Sequence, residues 1–282
     1  MKIGIIGLGL IGGSLARGFV KAGQEVLAWD RSKTTMQQGA LLKAYNEVLT
    51  PDKAADLDML IVALTPQATV EVWQQWAPRL KEGAVLLDVA GTKRYVVQEA
   101  ARLKAQYPHL EWVCTHPMAG REYSGIKHSQ ATLFDHSTLL LVPIGTPIAV
   151  LAQVKKTFAP LGFGRILVTT AEEHDRIIAF TSQLAHVVSN AYILSDTAPE
   201  QRGYSAGSFR DMTRVARINA EMWSELFVEN KDNLVGEIDD IIAHLTSMRD
   251  AIDEGDRAKI EALLNEGNAR KEEADRQNRQ RD

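Results

Sequence analysis

Short apolar runs alternate with amphipathic stretches through the first 170 residues of the chain. Most of these runs do not alternate apolar with polar residues, which is typical of parallel strands buried on both faces of a sheet. They span residues 2–6, 25–29, 59–64, 84–89, 112–115, 139–142 and 165–168. Helical spacing lies near residues 10–22, 67–80, 92–106 and 147–158. The alternation predicts an α/β fold with a doubly wound parallel sheet and right-handed crossovers.

Strand signals stop at about Thr170, and the rest of the chain has helical patterns. We predict helices over residues 172–195 and 206–217. Asn219 is the expected N-cap of a third, long helix that begins with Ala220. The chain is therefore expected to form an α/β domain over residues 1–170 and an all-α domain over residues 171–282.

The third helix carries a stripe of apolar side chains spaced four or three residues apart, the pattern of helices packed at a shallow angle. The stripe consists of Leu234, Ile238, Ile241, Leu245, Met248 and Ile252. A helix of about 30 residues is about 45 Å long, more than a domain of this size covers alone. We expect a homodimer through the C-terminal helices, with packing inside the chain as the alternative. The polar tail, residues 268–282, is expected to be a solvated, frayed helix end.

A glycine-rich loop directly follows the first apolar run. In a dinucleotide-binding turn, Gly7 would make the tight turn, Gly9 would let the backbone approach the pyrophosphate, and Gly12 would let helix and sheet pack closely. The pyrophosphate then lies on the amino end of the next helix. The pattern predicts a Rossmann-like dinucleotide-binding domain, with a chance glycine-rich turn as the alternative. The candidate cofactor-binding residues of the loop are Gly7, Leu8, Gly9, Leu10, Ile11 and Gly12.

Asp30 follows the second apolar run. Its carboxylate is expected to accept hydrogen bonds from ribose hydroxyls and to repel a 2′-phosphate, which favours NAD over NADP. Arg31 could stack on adenine or meet a phosphate, which keeps NADP open, or it could be a solvated turn residue. Thr65, after the third run, is a further candidate for cofactor binding.

The composition is that of a globular protein, with 45% hydrophobic residues, 24% charged residues and a net charge of -4. The absence of a basic patch with interleaved aromatic residues excludes nucleic acid as an expected partner. No uncharged apolar run reaches the roughly 18 residues of a membrane helix. The single cysteine, Cys114, is expected to be a small buried hydrophobe. One cysteine favours a reducing, cytoplasmic compartment and leaves no cysteine-based metal site, and we expect no metal.

Polar residues follow two of the later strands, at the edge where ligands bind in open α/β sheets. They lie in residues 88–93 and 115–122. His116 is the best placed general base, because the ordinary pKa of histidine, about 6.5, lies near neutral pH. Structural or surface roles are expected for the histidines without such a context, which are His109, His128, His136 and His244.

The helical half holds two sets of polar residues at helical spacing. The first set could face water or form the inner wall of a cleft between domains, and it consists of Arg176, Gln183, His186 and Asn190. The second set is Arg210, Arg214 and Arg217. Three guanidinium groups on one helix face favour binding of an anionic substrate, with pairing to Asp211 and Glu221 as the alternative.

Several stretches together resemble the TyrA family of prephenate and arogenate dehydrogenases. The resemblance rests on residues 7–14, on the turn 88–93, on His-Pro-Met-Ala-Gly at 116–120, on His174-Asp175, and on residues 207–214, which read Gly-Ser-Phe-Arg-Asp-Met-Thr-Arg. It implies a nucleotide-binding domain followed by an all-helical dimerisation domain. The small-molecule substrate it implies is prephenate or arogenate.

The resemblance also implies roles for individual residues. His116 would draw the proton from the ring hydroxyl of prephenate while hydride leaves the same carbon for NAD. Loss of carbon dioxide would then give 4-hydroxyphenylpyruvate, a precursor of tyrosine. Arg214 would hold a substrate carboxylate with help from Arg210. Glu122 would lie at the mouth of the site, and His186 would face it from the helical domain.

Two positions depart from the pattern of the family. Gly91 stands where many relatives have serine, so a hydroxyl contact to the catalytic histidine or the substrate is missing unless Thr92 replaces it. Gln183 stands where many relatives have histidine, and we keep it among the candidate substrate residues.

The sequence thus predicts an NAD-preferring oxidative decarboxylase of prephenate that acts as a cytoplasmic homodimer in tyrosine biosynthesis. An arogenate dehydrogenase linked to NADP is the nearest alternative. A β-hydroxyacid dehydrogenase is less favoured, because the helical lysines Lys231 and Lys259 lack the surroundings of that family's catalytic lysine. A cofactor-sensing module without catalysis is the alternative of another class.

Overall fold

Eight strands form one sheet in the part of the chain that the computed structural model describes, residues 1–120 and 123–279. In chain order they are β1 (Lys2–Ile6), β2 (Glu25–Trp29), β3 (Glu47–Val48), β4 (Met59–Val62), β5 (Val85–Asp88), β6 (Glu111–Met118), β7 (Thr138–Pro143) and β8 (Arg165–Val168). Their order across the sheet is β3-β2-β1-β4-β5-β6-β7-β8. Each predicted strand is present. The strand β3 was not predicted, because two exposed residues give no apolar run.

Eleven α-helices occur in the same described residues. They are α1 (Leu10–Lys21), α2 (Lys33–Leu41), α3 (Pro66–Trp76), α4 (Arg94–Gln106), α5 (Ile148–Phe158), α6 (Ala171–Ile178), α7 (Ala185–Ile193), α8 (Gly207–Thr213), α9 (Ala220–Glu229), α10 (Lys231–Asp253) and α11 (Arg257–Arg279). Only helices and turns follow β8, so the predicted fold class, a Rossmann-like α/β part and then an all-α part, is confirmed.

The sheet is parallel from β3 to β6, but β7 runs antiparallel to β6, contrary to the expectation of an all-parallel sheet. A parallel return needs a long crossover, usually a helix. The described part of the connection after β6 holds only one short 3-10 turn, Ile126–His128. The apolar runs could not reveal this direction, because β6 and β7 are buried on both faces, as parallel strands are. Pairing with β7 extends β6 to Met118, beyond its predicted end, so His116 lies within the strand.

Apolar side chains cover both faces of the sheet. On one face, Trp73 of α3 meets Trp112 of β6 edge to face, with 5.4 Å between the ring centroids. On the other face, Phe19 of α1 meets Phe158 of α5 in the same way at 5.3 Å. Burial on both faces explains the lack of polar alternation in the strands. His116 alternates with Trp112 along β6 and therefore points to the face covered by α3.

The predicted helix 172–195 contains a π-helical segment, Ala179–Leu184, between α6 and α7. A π turn inserts a residue into the helical repeat and so rotates the residues that follow it. Arg176 is consequently exposed while Gln183 is buried, and the predicted polar stripe does not share one environment.

The helix α8 ends at Thr213, four residues before the predicted end, and Arg214 is its C-cap. Arg210, Arg214 and Arg217 therefore do not lie on one helix face, contrary to the expectation from their spacing. The spacing of charges does not report where a helix ends, and no stop signal such as glycine follows Thr213.

Asn219 caps α9 as predicted, accepting a hydrogen bond from the backbone N–H of Met222 at 3.1 Å. The helix then ends at Glu229 instead of continuing for about 30 residues. The next residue, Asn230, is fully buried and leaves helical geometry with φ -108° and ψ 25°. Its side-chain amide donates to the backbone carbonyl of Asp175 at 2.8 Å, a side-chain contact that competes with helix continuation.

The chain divides into two compact units, Met1–Lys231 and Asp232–Asp282. The predicted domain boundary at residue 170 stays a prediction. In the second unit, α10 exposes several large apolar side chains, and α11 continues into the polar tail as far as Arg279. No helix among the described residues has the length and apolar character needed to cross a membrane.

The glycine loop gives a first test of the packing. A Cβ atom on Gly12 would lie 1.9 Å from the carbonyl oxygen of Gly7, whereas a Cβ atom on Gly9 would meet nothing within 4 Å. We expect Gly12→Ala to lower the free energy of unfolding by about 1–3 kcal/mol, because the loop and α1 must separate. Gly9→Ala weakens only an N-cap and is expected to cost under about 1 kcal/mol. Chemical denaturation measures both values, and equal losses would contradict the assignment of Gly12 as the packing glycine.

Candidate functional site

The glycine loop lies where the strand order of the sheet reverses, since β1 has β2 on one side and β4 on the other. Ligands of doubly wound sheets bind at such a switch point, beyond the carboxyl ends of the strands. Gly7 has φ +92°, and a Cβ there would lie 2.4 Å from the carbonyl oxygen of Ala63, which follows β4. The backbone at Gly9 is open and leads into α1. The loop therefore has the shape that a dinucleotide pyrophosphate requires.

Asp30 is bound to the same loop. Its Oδ2 atom accepts from the backbone N–H of Leu8 at 2.8 Å, and its Oδ1 atom accepts from that of Ser32 at 2.8 Å. A carboxylate has about four acceptor positions, so it can still accept from ribose hydroxyls. Leu8 is fully buried, and its backbone N–H is already bound to Asp30.

The other candidate cofactor residues border this switch point. Leu10 and Ile11 form the first turn of α1 and are half-buried. Arg31 is exposed at the bend after β2. Thr65 is the N-cap residue of α3, and its side chain makes no capping hydrogen bond there. These positions are compatible with cofactor binding, and their roles stay predictions.

A row of three side chains extends from β6 to α6. The Nδ1 atom of His116 lies 2.8 Å from the Nε2 atom of His174, and the Nδ1 atom of His174 lies 2.7 Å from the Oδ1 atom of Asp175. His116 is half-buried, whereas His174 and Asp175 are buried. The row places His116 at the accessible end and a carboxylate at the buried end.

The carboxylate of Asp175 is held by the start of α4. It accepts from the backbone N–H groups of Lys93 at 2.7 Å and Arg94 at 2.9 Å, and from the Nε atom of Arg94 at 3.3 Å. Burial acts to raise the pKa of Asp175, but the hydrogen bonds from His174 and from these backbone groups outweigh it and lower the pKa. Asp175 is therefore an ionised acceptor at neutral pH.

Both imidazoles of the row have lowered pKa values. Burial is the main cause for His116, and the charges of His174 and Lys93 add to it. Burial also lowers the pKa of His174, although its hydrogen bond to Asp175 acts in the opposite direction. Both rings are therefore neutral at neutral pH, and His116 is available as a base.

Lys93 and Asp88 form a fully buried ion pair beside the row. Asp88 ends β5 and also accepts from the backbone N–H groups of Ala90 at 2.8 Å and Thr115 at 3.1 Å. Because a buried charge without a partner is strongly unfavourable, these bonds fix the turn between β5 and α4. The same turn holds Asp175.

Thr92, a candidate for contact with the substrate or the catalytic histidine, directs its hydroxyl elsewhere. Its Oγ1 atom donates to the Oε2 atom of Glu229 on α9 at 2.5 Å. A Cβ atom on the neighbouring Gly91 would lie 3.1 Å from the Cδ1 atom of Leu226, also on α9. The turn is thus closely covered by α9. In this structure Thr92 does not replace the hydroxyl that many relatives have at position 91.

Glu229 is half-buried, and its Oε1 atom is buried without a hydrogen-bond partner among the described residues. Burial raises the pKa of Glu229 to about 7, the hydrogen bond from Thr92 acts to lower it, and the charges of Glu225 and Asp175 raise it further. Glu229 could not be singled out from the sequence, because helical spacing does not identify which acidic residue a neighbouring turn will cover.

Gln183, a candidate substrate residue, is buried with both ends of its amide engaged. Its Nε2 atom donates to the backbone carbonyl of Leu226 at 3.1 Å, and its Oε1 atom accepts from Asn230 at 2.8 Å. Asn230 also donates to the backbone carbonyl of Asp175. This geometry gives Gln183 a structural role between the π-helical segment and α9, and it does not support direct substrate contact.

His186 and Arg214 lie near each other in the helical part. The Nδ1 atom of His186 lies 2.9 Å from the carbonyl oxygen of Val215, and its ring centroid lies 3.9 Å from that of Trp223. Burial lowers the pKa of His186, the hydrogen bond to Val215 opposes this, and the charge of Arg214 lowers the pKa further. The pairing of a cation with a neutral imidazole suits an anionic ligand.

Arg210 and Glu122 are the remaining candidates. The side chain of Arg210 is 82% exposed and lies 3.9 Å from the carboxylate of Asp211, the pairing that the sequence left open as an alternative. Glu122 lies outside the described residues. Sequence reasoning missed Glu229 and Asn230 as site residues, included Lys93 only as the end of the candidate turn 88–93, and reached His174 and Asp175 only through the resemblance.

Two family models match the chain. The model described as prephenate dehydrogenase, nucleotide-binding domain matches residues 15–167, and that described as prephenate dehydrogenase, dimerization domain matches residues 170–266. The cyclohexadienyl dehydrogenase of Zymomonas mobilis is 33% identical over 262 residues, 89% of this chain and 88% of the relative. These matches confirm the resemblance drawn from the motifs.

Solved structures of similar proteins have the same fold. The arogenate dehydrogenase of Synechocystis superposes with a TM-score of 0.80 at 25% identity, covering 97% of this chain and 100% of the other. The prephenate dehydrogenase from A. aeolicus, in complex with hydroxyphenyl propionate and NAD+, superposes with a TM-score of 0.84 at 23% identity, covering 97% and 98%.

The raised pKa of Glu229 predicts a stability that depends on pH. The pKa is near 7 in the folded protein and near 4.5 in the unfolded chain. The stability that protonated Glu229 contributes is therefore complete below about pH 4.5 and is lost as the pH rises through about 7. We expect Glu229→Gln to melt at a higher temperature than the wild type at about pH 8.5, with little difference at about pH 5. The control is Glu221→Gln on the exposed first turn of α9, and a Glu229→Gln melting curve that follows the wild type at both pH values would refute the assignment.

Proposed function

Because the chain belongs to the prephenate dehydrogenase family, we propose that it catalyses the oxidative decarboxylation of prephenate by NAD+, which yields 4-hydroxyphenylpyruvate, carbon dioxide and NADH. The observation that carries this proposal is His116, a neutral imidazole at the accessible end of a buried hydrogen-bonded row. The reaction would serve tyrosine biosynthesis. Members of the family are oxidoreductases, and the chain contains the family's nucleotide-binding domain.

His116 acts at the hydroxyl of the substrate ring. Its Nε2 atom accepts the hydroxyl proton while the hydride leaves the same carbon, and NAD+, when bound, supplies the acceptor for that hydride. The resulting dienone has a carbonyl conjugated to the carbon that bears the ring carboxylate. Loss of carbon dioxide moves the electron pair through the ring onto the carbonyl oxygen, and aromatisation drives this step. The phenolate oxygen then takes back the proton held at Nε2 of His116. A general base of this kind contributes about 10²- to 10⁴-fold to the rate.

The substrate carries two carboxylates, and arginine is suited to binding them. Arg214 is our candidate for one of them, since it lies close enough to His186 for its charge to lower the pKa of that residue. Arg210 is a weaker candidate, because its guanidinium lies beside the carboxylate of Asp211. We keep Glu122 as an expected residue at the mouth of the site.

Asp30 supports NAD over NADP as the cofactor. Its carboxylate lies against the glycine loop, bound to the backbone N–H of Leu8, where a 2′-phosphate of NADP would meet its negative charge. Gly7 and Gly9 provide the turn and the open backbone for the pyrophosphate. Arg31 is exposed beside Asp30 and could meet the 2′-phosphate of NADP, so weak use of NADP stays an alternative.

We further propose that the protein is a homodimer through its C-terminal helices and acts in the cytoplasm. The second family model is described as a dimerization domain. On α10 the side chains of Ile242, Leu245 and Ile252 are 53%, 62% and 61% exposed, an apolar surface that a second subunit would cover. The single cysteine is compatible with a reducing compartment.

Arogenate is the second candidate substrate. It differs from prephenate only in an amino group in place of the side-chain keto group, and one of the similar solved structures is an arogenate dehydrogenase. The same base and the same oxidation would give tyrosine directly. Kinetics with the two substrates side by side, followed as NADH formation, distinguish the candidates.

Replacement of the base is the most direct test of the mechanism. We expect His116→Asn to lower kcat with prephenate by about 10²- to 10⁴-fold, because no other group at this position can accept the hydroxyl proton. The affinity for NAD+ should not change. His109→Asn, at an exposed histidine, is the control and should keep the wild-type rate. A near-normal rate for His116→Asn would rule out His116 as the base.

Replacement of Arg214 is expected to change the KM for prephenate, whereas replacement of His116 changes kcat. We expect Arg214→Ala to raise the KM for prephenate at least about 10-fold with little change in the KM for NAD+, because a lost charged hydrogen bond costs about 1.5–3 kcal/mol. Arg217→Ala, three residues away and exposed, is the control. If Arg214→Ala left the KM for prephenate unchanged, the carboxylate would have to bind elsewhere.

A further inference from the structure

The row His116, His174 and Asp175 determines which nitrogen of His116 carries its proton. We propose that His174 and Asp175 are positioning residues that hold His116 in the tautomer protonated at Nδ1, so that Nε2 is left free to accept the substrate proton. The proposal rests on the proposed function for the identity of the substrate. The tautomer itself is a property of the protein alone.

The assignment starts at Asp175, which can only accept hydrogen bonds. Its carboxylate already receives the backbone N–H groups of Lys93 and Arg94, and neither of these can accept in return. The Nδ1 atom of His174, 2.7 Å from the Oδ1 atom of Asp175, must therefore carry a hydrogen.

The second step passes through His174. Burial and the charge of Lys93 disfavour the imidazolium form of this residue, so it is neutral with a single N–H, the one at Nδ1. Its Nε2 atom is then an acceptor. The Nδ1 atom of His116, 2.8 Å away, must donate to it. The remaining nitrogen of His116, Nε2, has no hydrogen and is the base.

The row is fixed at its buried end. Thr170 caps α6 by accepting from the backbone N–H of Glu173 at 3.2 Å, and the carbonyl of Asp175 accepts from Asn230 at 2.8 Å. Asp175 is thus bound by its carboxylate to the start of α4 and by its backbone to the end of α9. Rotation of His174 would break both its hydrogen bonds inside a buried region, which makes the alternative ring orientation unfavourable.

The row also suits the proton transfer itself. When Nε2 of His116 takes the substrate proton, its Nδ1–H continues to donate to His174, so no other proton has to move. The positive charge that forms lies one imidazole away from the carboxylate of Asp175. This arrangement stabilises the imidazolium in the transition state without any rearrangement of the site.

Several charged side chains lie around the row in the described part of the chain, among them Arg94, whose Nε atom donates to the carboxylate of Asp175 at 3.3 Å. Asp88 at the end of β5 and Lys93 before α4 form a buried ion pair, and the charge of Lys93 still lowers the pKa of both imidazoles. Asp175 on α6 is ionised, and Glu229 on α9 faces Thr92. Replacement of Asp175 by asparagine therefore removes the negative charge that acts directly on the row.

The first experiment reads the tautomers without any substrate. Protein labelled with ¹⁵N in its histidines is studied by long-range ¹H–¹⁵N correlation at about pH 7.5. We expect both His116 and His174 to be neutral and protonated at Nδ1. The signals of His116 are assigned from the spectrum of His116→Asn, in which they are missing. A signal showing His116 protonated at Nε2 would overturn the proposal, whatever the substrate of the enzyme is.

The second experiment reverses the tautomers. In Asp175→Asn the side-chain NH₂ faces His174, so Nδ1 of His174 becomes an acceptor, its Nε2–H donates to His116, and the proton of His116 moves to Nε2. We expect kcat to fall by about 10²- to 10⁴-fold with the KM for prephenate within about 3-fold, since the base is lost and the binding groups remain. The NMR spectrum should show the reversed tautomers, and an unchanged kcat in a folded variant would contradict the proposal.

Variants of His174 keep the test decisive if Asp175→Asn does not fold. The amide oxygen of Gln can still accept from Nδ1 of His116, whereas Leu cannot, so His174→Gln should retain at least about 10-fold more of kcat than His174→Leu. The control is Asn230→Ala, which removes an anchor of the Asp175 backbone and should lower the melting temperature without changing the tautomer. Equal kcat values for His174→Gln and His174→Leu would overturn the proposal.

Discussion

The carboxylate of Asp175 is the interaction on which the arrangement of the site depends. Asp175 joins three separate segments of the chain. Its carboxylate accepts from the backbone N–H groups of Lys93 and Arg94 at the start of α4 and orients His174 on α6. Its backbone carbonyl accepts from Asn230 at the end of α9. A buried carboxylate is stable only when its acceptor positions are filled. The same bonds that satisfy it therefore bring the helical segment against the sheet and set the orientation of the histidines.

The electrostatics of the site follow from burial and from one internal ion pair. Lys93 would be a strongly unfavourable buried cation by itself, but Asp88 compensates it, and Asp88 is in turn held by backbone N–H groups. Burial of His116 and the nearby charges of His174 and Lys93 all lower its pKa. A base that is neutral at the working pH, at the same edge of the sheet as a loop shaped for a dinucleotide, is what removal of a hydroxyl proton during hydride loss requires.

The sequence allowed the fold to be predicted because burial on both faces leaves continuous apolar runs, and because Gly7, Gly9 and Gly12 have distinct steric roles. It also allowed His116 to be singled out by its place near a strand end. The direction of β7 could not be predicted, because its apolar run reads like that of a parallel strand. The contacts of Gln183 could not be predicted, because its partners Leu226 and Asn230 are distant in the chain. The π-helical segment Ala179–Leu184 interrupts the predicted helix 172–195, and the bend at Asn230 ends the predicted long helix. The spacing of polar residues gives no signal for either feature.

In the proposed reaction, the cofactor part and the helical part would contribute different chemistry. The loop around Gly9 and Asp30 is suited to a dinucleotide, and the segment with His186 and Arg214 is suited to an anionic substrate. The wild-type enzyme is proposed to oxidise and decarboxylate prephenate. The most direct measurement follows NADH and carbon dioxide together after prephenate is added to the enzyme and NAD+. The account predicts equal amounts of both products, and oxidation of a simple hydroxy acid without carbon dioxide, with no reaction of prephenate, would contradict it.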